Sequence, residues 1–180
     1  MAEQHAAQSR PAQPGPAQPH IPRPGPYAGR PVGSDREALA VAIQEARDGR
    51  AGGGVPIGAA LVVDGEVLAS GHNQRVQLAS PILHGETDCL ANAGRLPASV
   101  YARATMVTTL SPCDMCTGAI LLYGIPRVII GENRTFYGAE DLLRLRGVEV
   151  VVLDDAECVA LMEEFIAAEP DLWNEDIGEE

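Results

Sequence analysis

The sequence predicts an α/β fold, a three-layer α/β/α sandwich around a five-stranded mixed sheet. Two observations predict it: an apolar hairpin pattern leads the folded part, and strand and helix periodicities then alternate to the C-terminus. A third sets its size, because 180 residues with 46% hydrophobic content supply one domain.

The elements follow in chain order. Residues 1–33 hold eight of the 14 prolines together with repeated Ala and Gln. That composition buries too little apolar surface to offset chain entropy, so a disordered tail is expected there and a folded domain over 34–180. Ser34 and Glu37 form an S-x-x-E capping box, and Leu39, Ala42, Ile43 and Ala46 follow at helical spacing toward a stop at Gly49. Ile57–Val63 and Glu66–Ser70 flank Asp64-Gly65, a dipeptide that supplies the positive φ of a tight turn, and are expected to pair antiparallel. A helix is expected over His84–Gly94, then a strand Thr105–Leu110, a helix Pro112–Tyr123, a strand Arg127–Gly131, a short helix Ala139–Leu145 and a strand Val148–Leu153. The β-branched run of the last strand predicts burial on both faces. The final helix starts at Asp154 and buries the stripe Cys158, Leu161, Met162, Phe165 and Ile166.

Charge and composition exclude whole classes of function. All 13 basic residues are arginine, and 25 acidic ones bring the net charge to -12. The tail carries three arginines (Arg10, Arg23, Arg30) against Glu3, which leaves -14 on residues 34–180. Such a surface repels a phosphate backbone, so no nucleic-acid partner is expected. No window approaches the roughly 18 apolar residues of a membrane span, so a soluble, cytoplasmic protein with no membrane partner is expected. Cys89, Cys113, Cys116 and Cys158 are too few for a disulfide scaffold and point to metal or redox chemistry in a reducing compartment.

Two segments carry that chemistry, His84-Gly85-Glu86 and Ser111-Pro112-Cys113-Asp114-Met115-Cys116. With Ser111 as N-cap and Pro112 as first helical residue, Cys113 and Cys116 project from one face of a helix start. The positive end of the helix favours their thiolates. His84 completes three ligands of the kind zinc prefers and leaves a fourth position for water, the pattern of a catalytic zinc, one per subunit. A carboxylate at Glu86 beside such a water can relay protons. H-x-E…P-C-x-x-C is the zinc deaminase signature, in which the Glu is the general acid and base and not a ligand.

The chain also resembles the fungal-type cytosine deaminases, within the zinc-dependent cytidine and deoxycytidylate deaminase superfamily. The resemblance runs through Val55-Pro56-Ile57-Gly58, Gly71-His72-Asn73, Leu83 to Glu86, Gly94-Arg95-Leu96, Thr108 to Gly118, Tyr123 to Arg127, Gly131-Glu132-Asn133, and Trp173 with Glu175 to Glu179. It leaves out only the proline-rich tail. It implies a cytidine deaminase-like fold and a homodimeric zinc enzyme that hydrolyses a free base, cytosine to uracil and ammonia. It further implies that Asn73 and the Gly85 N–H hold the base carbonyl, that Asp176 meets a ring N–H, and that Ile57, Phe136 and Trp173 pack around the ring. The segment 170–180 then reads as a lid. The shorter Asp64-Gly65 hairpin, Thr87-Asp88-Cys89 after Glu86, and Asn174 depart from the fungal pattern, and creatinine or another small cyclic amidine is the alternative substrate. A non-catalytic zinc-stabilised interaction module is the remaining alternative.

Other polar and apolar residues have plainer expectations. Cys89 and Cys158 read as small core residues and His72 as a hydrogen-bonded structural histidine. The run Ala119 to Tyr123 is apolar over more of its helix than one sheet face can bury, which predicts a subunit interface.

Overall fold

A computed structural model describes residues 24–179. Helix α1 (Asp35–Ala51) is capped by Ser34, whose Oγ accepts the Glu37 N–H at 3.2 Å, while the Glu37 carboxylate accepts the Gly33 N–H at 2.6 Å. The helix continues past Gly49 because that glycine is an interior packing position, where a Cβ would stand 3.1 Å from the His72 ring. Strands β1 (Gly58–Val63) and β2 (Glu66–His72) pair antiparallel around Asp64 and Gly65, at φ 52° and 80°.

The alternating part follows as α2 (Gly85–Ala93), a single turn α3 (Ala98–Tyr101) that sequence patterning did not foresee, β3 (Ala104–Leu110), α4 (Asp114–Tyr123), β4 (Arg127–Glu132), α5 (Glu140–Leu145), β5 (Glu149–Val152), α6 (Ala156–Ala168) and α7 (Pro170–Ile177). The sheet order is β2-β1-β3-β4-β5, with β1 antiparallel to both its neighbours and the last two joints parallel, the expected mixed sheet.

Strand alternation sorts side chains to two cores. Leu61, Met106, Val128 and Ile130 face Leu90, Ile120 and Leu143 of α2, α4 and α5. Ala60, Val67, Val107 and Ile129 face Leu39 and Ile43 of α1 and Cys158 of α6. A third cluster of Val55, Ile57, Leu110, Met162, Phe165 and Trp173 lies beneath α7. Among the described residues no helix is long and apolar enough to cross a membrane.

Four sequence-based expectations are corrected. Cys113, not Ser111, is the N-cap of α4, and Pro112 precedes the helix. Ser111 still follows the strand, its N–H bonded to the Glu132 carbonyl, and its Oγ is occupied by Glu140 and the Gly138 N–H. Strand β5 is an edge strand whose valines are only partly buried, because nothing pairs with its outer side. Helix α6 is capped by Asp155, which accepts the Glu157 and Cys158 N–H groups, while Asp154 sits at φ 50° outside the helix. Residues 24–33, assigned to the tail, lie along the outer edge of β2. Pro24 O accepts the Ser70 N–H, Gly29 N–H reaches Val67 O, Val67 N–H reaches Arg30 O, and Val32 N–H reaches Gly65 O. The remainder of the expected tail, residues 1–23, lies outside the described residues.

Candidate active site

The ends of two helices meet at the C-terminal end of β3. His84 is the N-cap of α2 and Cys113 the N-cap of α4, both with extended backbones (ψ 172° and 174°), so each side chain leaves its helix end instead of following the helical spiral. Cys116 lies within the first turn of α4. The ligand atoms of His84, Cys113 and Cys116 lie within 4.8 Å of one another, with Cys113 Sγ 3.5 Å from His84 Nδ1. The hydrogen bond from Cys116 comes first in bringing the Cys113 thiol down to about 4, with His84 adding to it, and the same bond pushes Cys116 up. Two sulfurs and one imidazole nitrogen at two positive helix ends fit a zinc ion and leave its fourth position to solvent or substrate.

Glu86 is the second residue of α2, close to the metal cluster and almost fully buried. Its Oε1 accepts the Thr108 hydroxyl at 3.1 Å. Burial, followed by the neighbouring Cys113, pushes its carboxyl above the ordinary range. A carboxyl raised toward neutrality can both take and return a proton, as general acid–base work requires.

Opposite this pair, α7 closes the site. Asp176 accepts both contacts of the Asn73 side-chain N–H₂, at 3.0 and 3.2 Å, and lies 3.7 Å from His84 Nε2. Asn73 Oδ1 accepts the Arg75 N–H at 2.9 Å, which fixes the amide with its nitrogen toward Asp176. Phe136 and Trp173 meet edge to face, with centroids 5.8 Å apart and planes at 86°. With Ile57, Glu86, His84 and Asp176 they line a cavity of about 20 Å³, room for about one water. Gly85 opens α2 against the Ile57 carbonyl, where a Cβ would stand at 3.1 Å, and as first helical residue its N–H has no partner within the helix.

Sequence reasoning missed several neighbours. Thr108, inside a β-branched strand, read only as a strand former. Ser111 lines the cavity, and its hydroxyl is used up behind the metal cluster. Arg75 donates to Glu175 at 3.1 Å and lies 3.9 Å from Asp176, tying α7 to the loop after β2. Cys89 and Cys158 are buried core residues, and the His72 ring is hydrogen-bonded to Glu45.

The chain belongs to the cytidine and deoxycytidylate deaminase zinc-binding family, whose model matches residues 33–132. Among relatives it is similar to the cytosine deaminase of Candida albicans, 55% identical over 146 residues that span 81% of this chain and 97% of that one. A tRNA-specific adenosine deaminase of Streptococcus pyogenes is 36% identical over 106 residues, 58% of this chain and 67% of that one. The fold is shared with a solved guanine deaminase of Nitrosomonas europaea, with a TM-score of 0.63 and 23% identity over 77% of this chain and 88% of that one. The protein is a zinc-dependent deaminase, an enzyme that hydrolyses a C–N bond of a small base.

Proposed function

We propose that the base is free cytosine, hydrolysed to uracil and ammonia. The observation that carries this reading is the seating of α7: Asp176 is bonded to Asn73, and Trp173 and Asp176 cover the cavity beside His84 and Glu86. Similarity to the Candida albicans cytosine deaminase supports it, since that match spans nearly all of the relative.

His84, Cys113 and Cys116 hold the zinc ion, which when bound lowers the pKa of a water toward about 7. Glu86 takes one proton from the attacking water and delivers it to N3 as the oxygen adds at C4; it then takes the second proton from the added hydroxyl and passes it to the amine, so that the C4–N bond breaks, ammonia leaves and the C4 carbonyl forms. Asn73 and the Gly85 N–H hold the base carbonyl, and Asp176 accepts the ring N–H. Ile57, Phe136 and Trp173 flank the ring and exclude bulk water. Since the closed cavity holds about one water, the segment 170–180 acts as a lid that opens to admit each base.

The enzyme works as a homodimer in the cytoplasm, in pyrimidine salvage. Leu122 and Tyr123 of α4 are 78% and 42% exposed. They border an open cleft with Leu90 and Leu96 that a second copy covers.

Zinc stoichiometry and ammonia release from cytosine, cytidine, creatinine, guanine and adenine test the reading together. Release from cytosine with one zinc per chain is expected; turnover of creatinine or cytidine in its place would overturn it.

A further inference from the structure

Behind the cavity, and apart from the metal cluster, a histidine is held between two buried carboxylates. His72 ends β2. Its Nδ1–H donates to Glu45 Oε2 of α1 at 2.9 Å, and its backbone N–H donates to Asp88 Oδ2 of α2 at 3.1 Å. Glu45 also accepts the Ser70 hydroxyl at 2.6 Å, and Asp88 the Asn92 amide at 3.1 Å. Both acids are almost fully buried, a setting costly to a carboxylate without a partner. The groups facing the ring are Glu45 and Asp48 from α1, Asp88 from α2, and the Gln74 amide, 3.3 Å from Nε2.

The placement matters because of what adjoins it. Asn73 follows His72 directly, with its N–H fixed to the Ile57 carbonyl at 2.9 Å. Asp88 lies two residues beyond Glu86 on the same helix. Gly71 lets that helix come close, since a Cβ there would stand 2.7 Å from the Cys89 nitrogen. Asp88 therefore ties the helix that carries Glu86 to the corner that carries Asn73.

We infer that Glu45, at the His72 ring, and Asp88, at the His72 backbone N–H, clamp His72 and thereby set the Asn73 amide relative to Glu86, which makes all three positioning residues for base binding. The inference rests on the assignment of Asn73 to the substrate carbonyl. The hydrogen bond to Glu45 keeps the ring charged above the usual histidine range. Loss of that charge as pH rises loosens the clamp and weakens base binding, with less effect on the chemical step.

The test uses the zinc-loaded full chain. By NMR between pH 5.5 and 9, the His72 ring and the Asn73 side-chain amide are expected to shift with one common midpoint, which moves down in Glu45→Gln. In steady-state assays, His72→Phe and Asp88→Ala are expected to raise KM for cytosine about fivefold or more with kcat within about threefold, and Asp88→Asn, which keeps the shape and an acceptor, to restore KM. An Asn73 resonance that ignores the His72 titration, an unmoved midpoint in Glu45→Gln, or an unchanged KM in His72→Phe would overturn the clamp. A wild-type chain inactive on cytosine overturns the substrate assignment instead, while the coupled titration, read without substrate, still decides the clamp.

Discussion

The side-chain amide of Asn73 donates to both carboxylate oxygens of Asp176, at 3.0 and 3.2 Å, between residues 103 apart in the chain. The C-terminal helix is thus joined to the sheet at the floor of the site as well as packed over it. In the proposed reaction a base enters by replacing this bond with its own carbonyl and ring N–H, so the protein's internal pair stands where substrate contacts form. Asp176→Asn removes the charge and keeps the shape. A charge-assisted hydrogen bond is worth about 1.5–3 kcal/mol, so kcat/KM for cytosine is expected to fall about 10- to 100-fold with zinc content unchanged.

Glu86→Ala tests the proton relay. Deamination is expected to fall at least about 100-fold, the scale of a lost general acid and base. Bound zinc, measured by atomic absorption, is expected to stay near one per chain because Glu86 is not a ligand in this assignment. Near-normal turnover would sink it.

Gly138→Ala reaches the metal cluster from behind. A Cβ there would overlap the Pro112 carbonyl and approach the Cys113 nitrogen to 3.2 Å. The loop that presents Cys113 must shift, so a loss of about 1–3 kcal/mol in stability and a roughly tenfold weaker hold on zinc are expected. Urea unfolding and chelator competition read the two separately.

The Asp35–Arg127 pair predicts a pH dependence. Two hydrogen bonds, at 2.8 and 2.9 Å, hold the Asp35 carboxyl below the usual carboxylate range, with partial burial working the other way. The pair's contribution is complete above that usual range and is lost as pH falls through the lowered value. Asp35→Asn should therefore lower the urea midpoint at pH 7 and leave it nearly unchanged near pH 2. The pair is half exposed, so the difference is expected to stay below about 1 kcal/mol.

Local chemistry was legible in the sequence and long-range pairing was not. The capping box at Ser34, the Asp64-Gly65 turn and the Cys113–Cys116 pair each act within a few residues, so spacing locates them, whereas His84-Gly85-Glu86 was joined to that pair through the deaminase signature. The start of α4 was misplaced because Ser111, a good cap by type, has its hydroxyl claimed by Glu140, 29 residues away. Residues 24–33 follow the edge of β2 through backbone bonds that leave no hydrophobic period to read. Asn73 and Asp176 were reached through family resemblance, since no pattern links residues so far apart. The Glu45–His72 pair was missed although a signal existed: Glu45 occupies the buried stripe of α1 with Ala38, Val41, Ala42 and Ala46, a place where a carboxylate implies a partner.

The strap formed by residues 24–32 has a practical consequence. It occupies the outward N–H and C=O groups of β2, which an exposed edge strand would offer to any other strand. A chain shortened to begin at residue 34, the boundary that composition suggests, would keep every residue of the site and expose that edge. Such a chain is expected to lose solubility on concentration through edge-to-edge joining, with the initial activity per molecule retained.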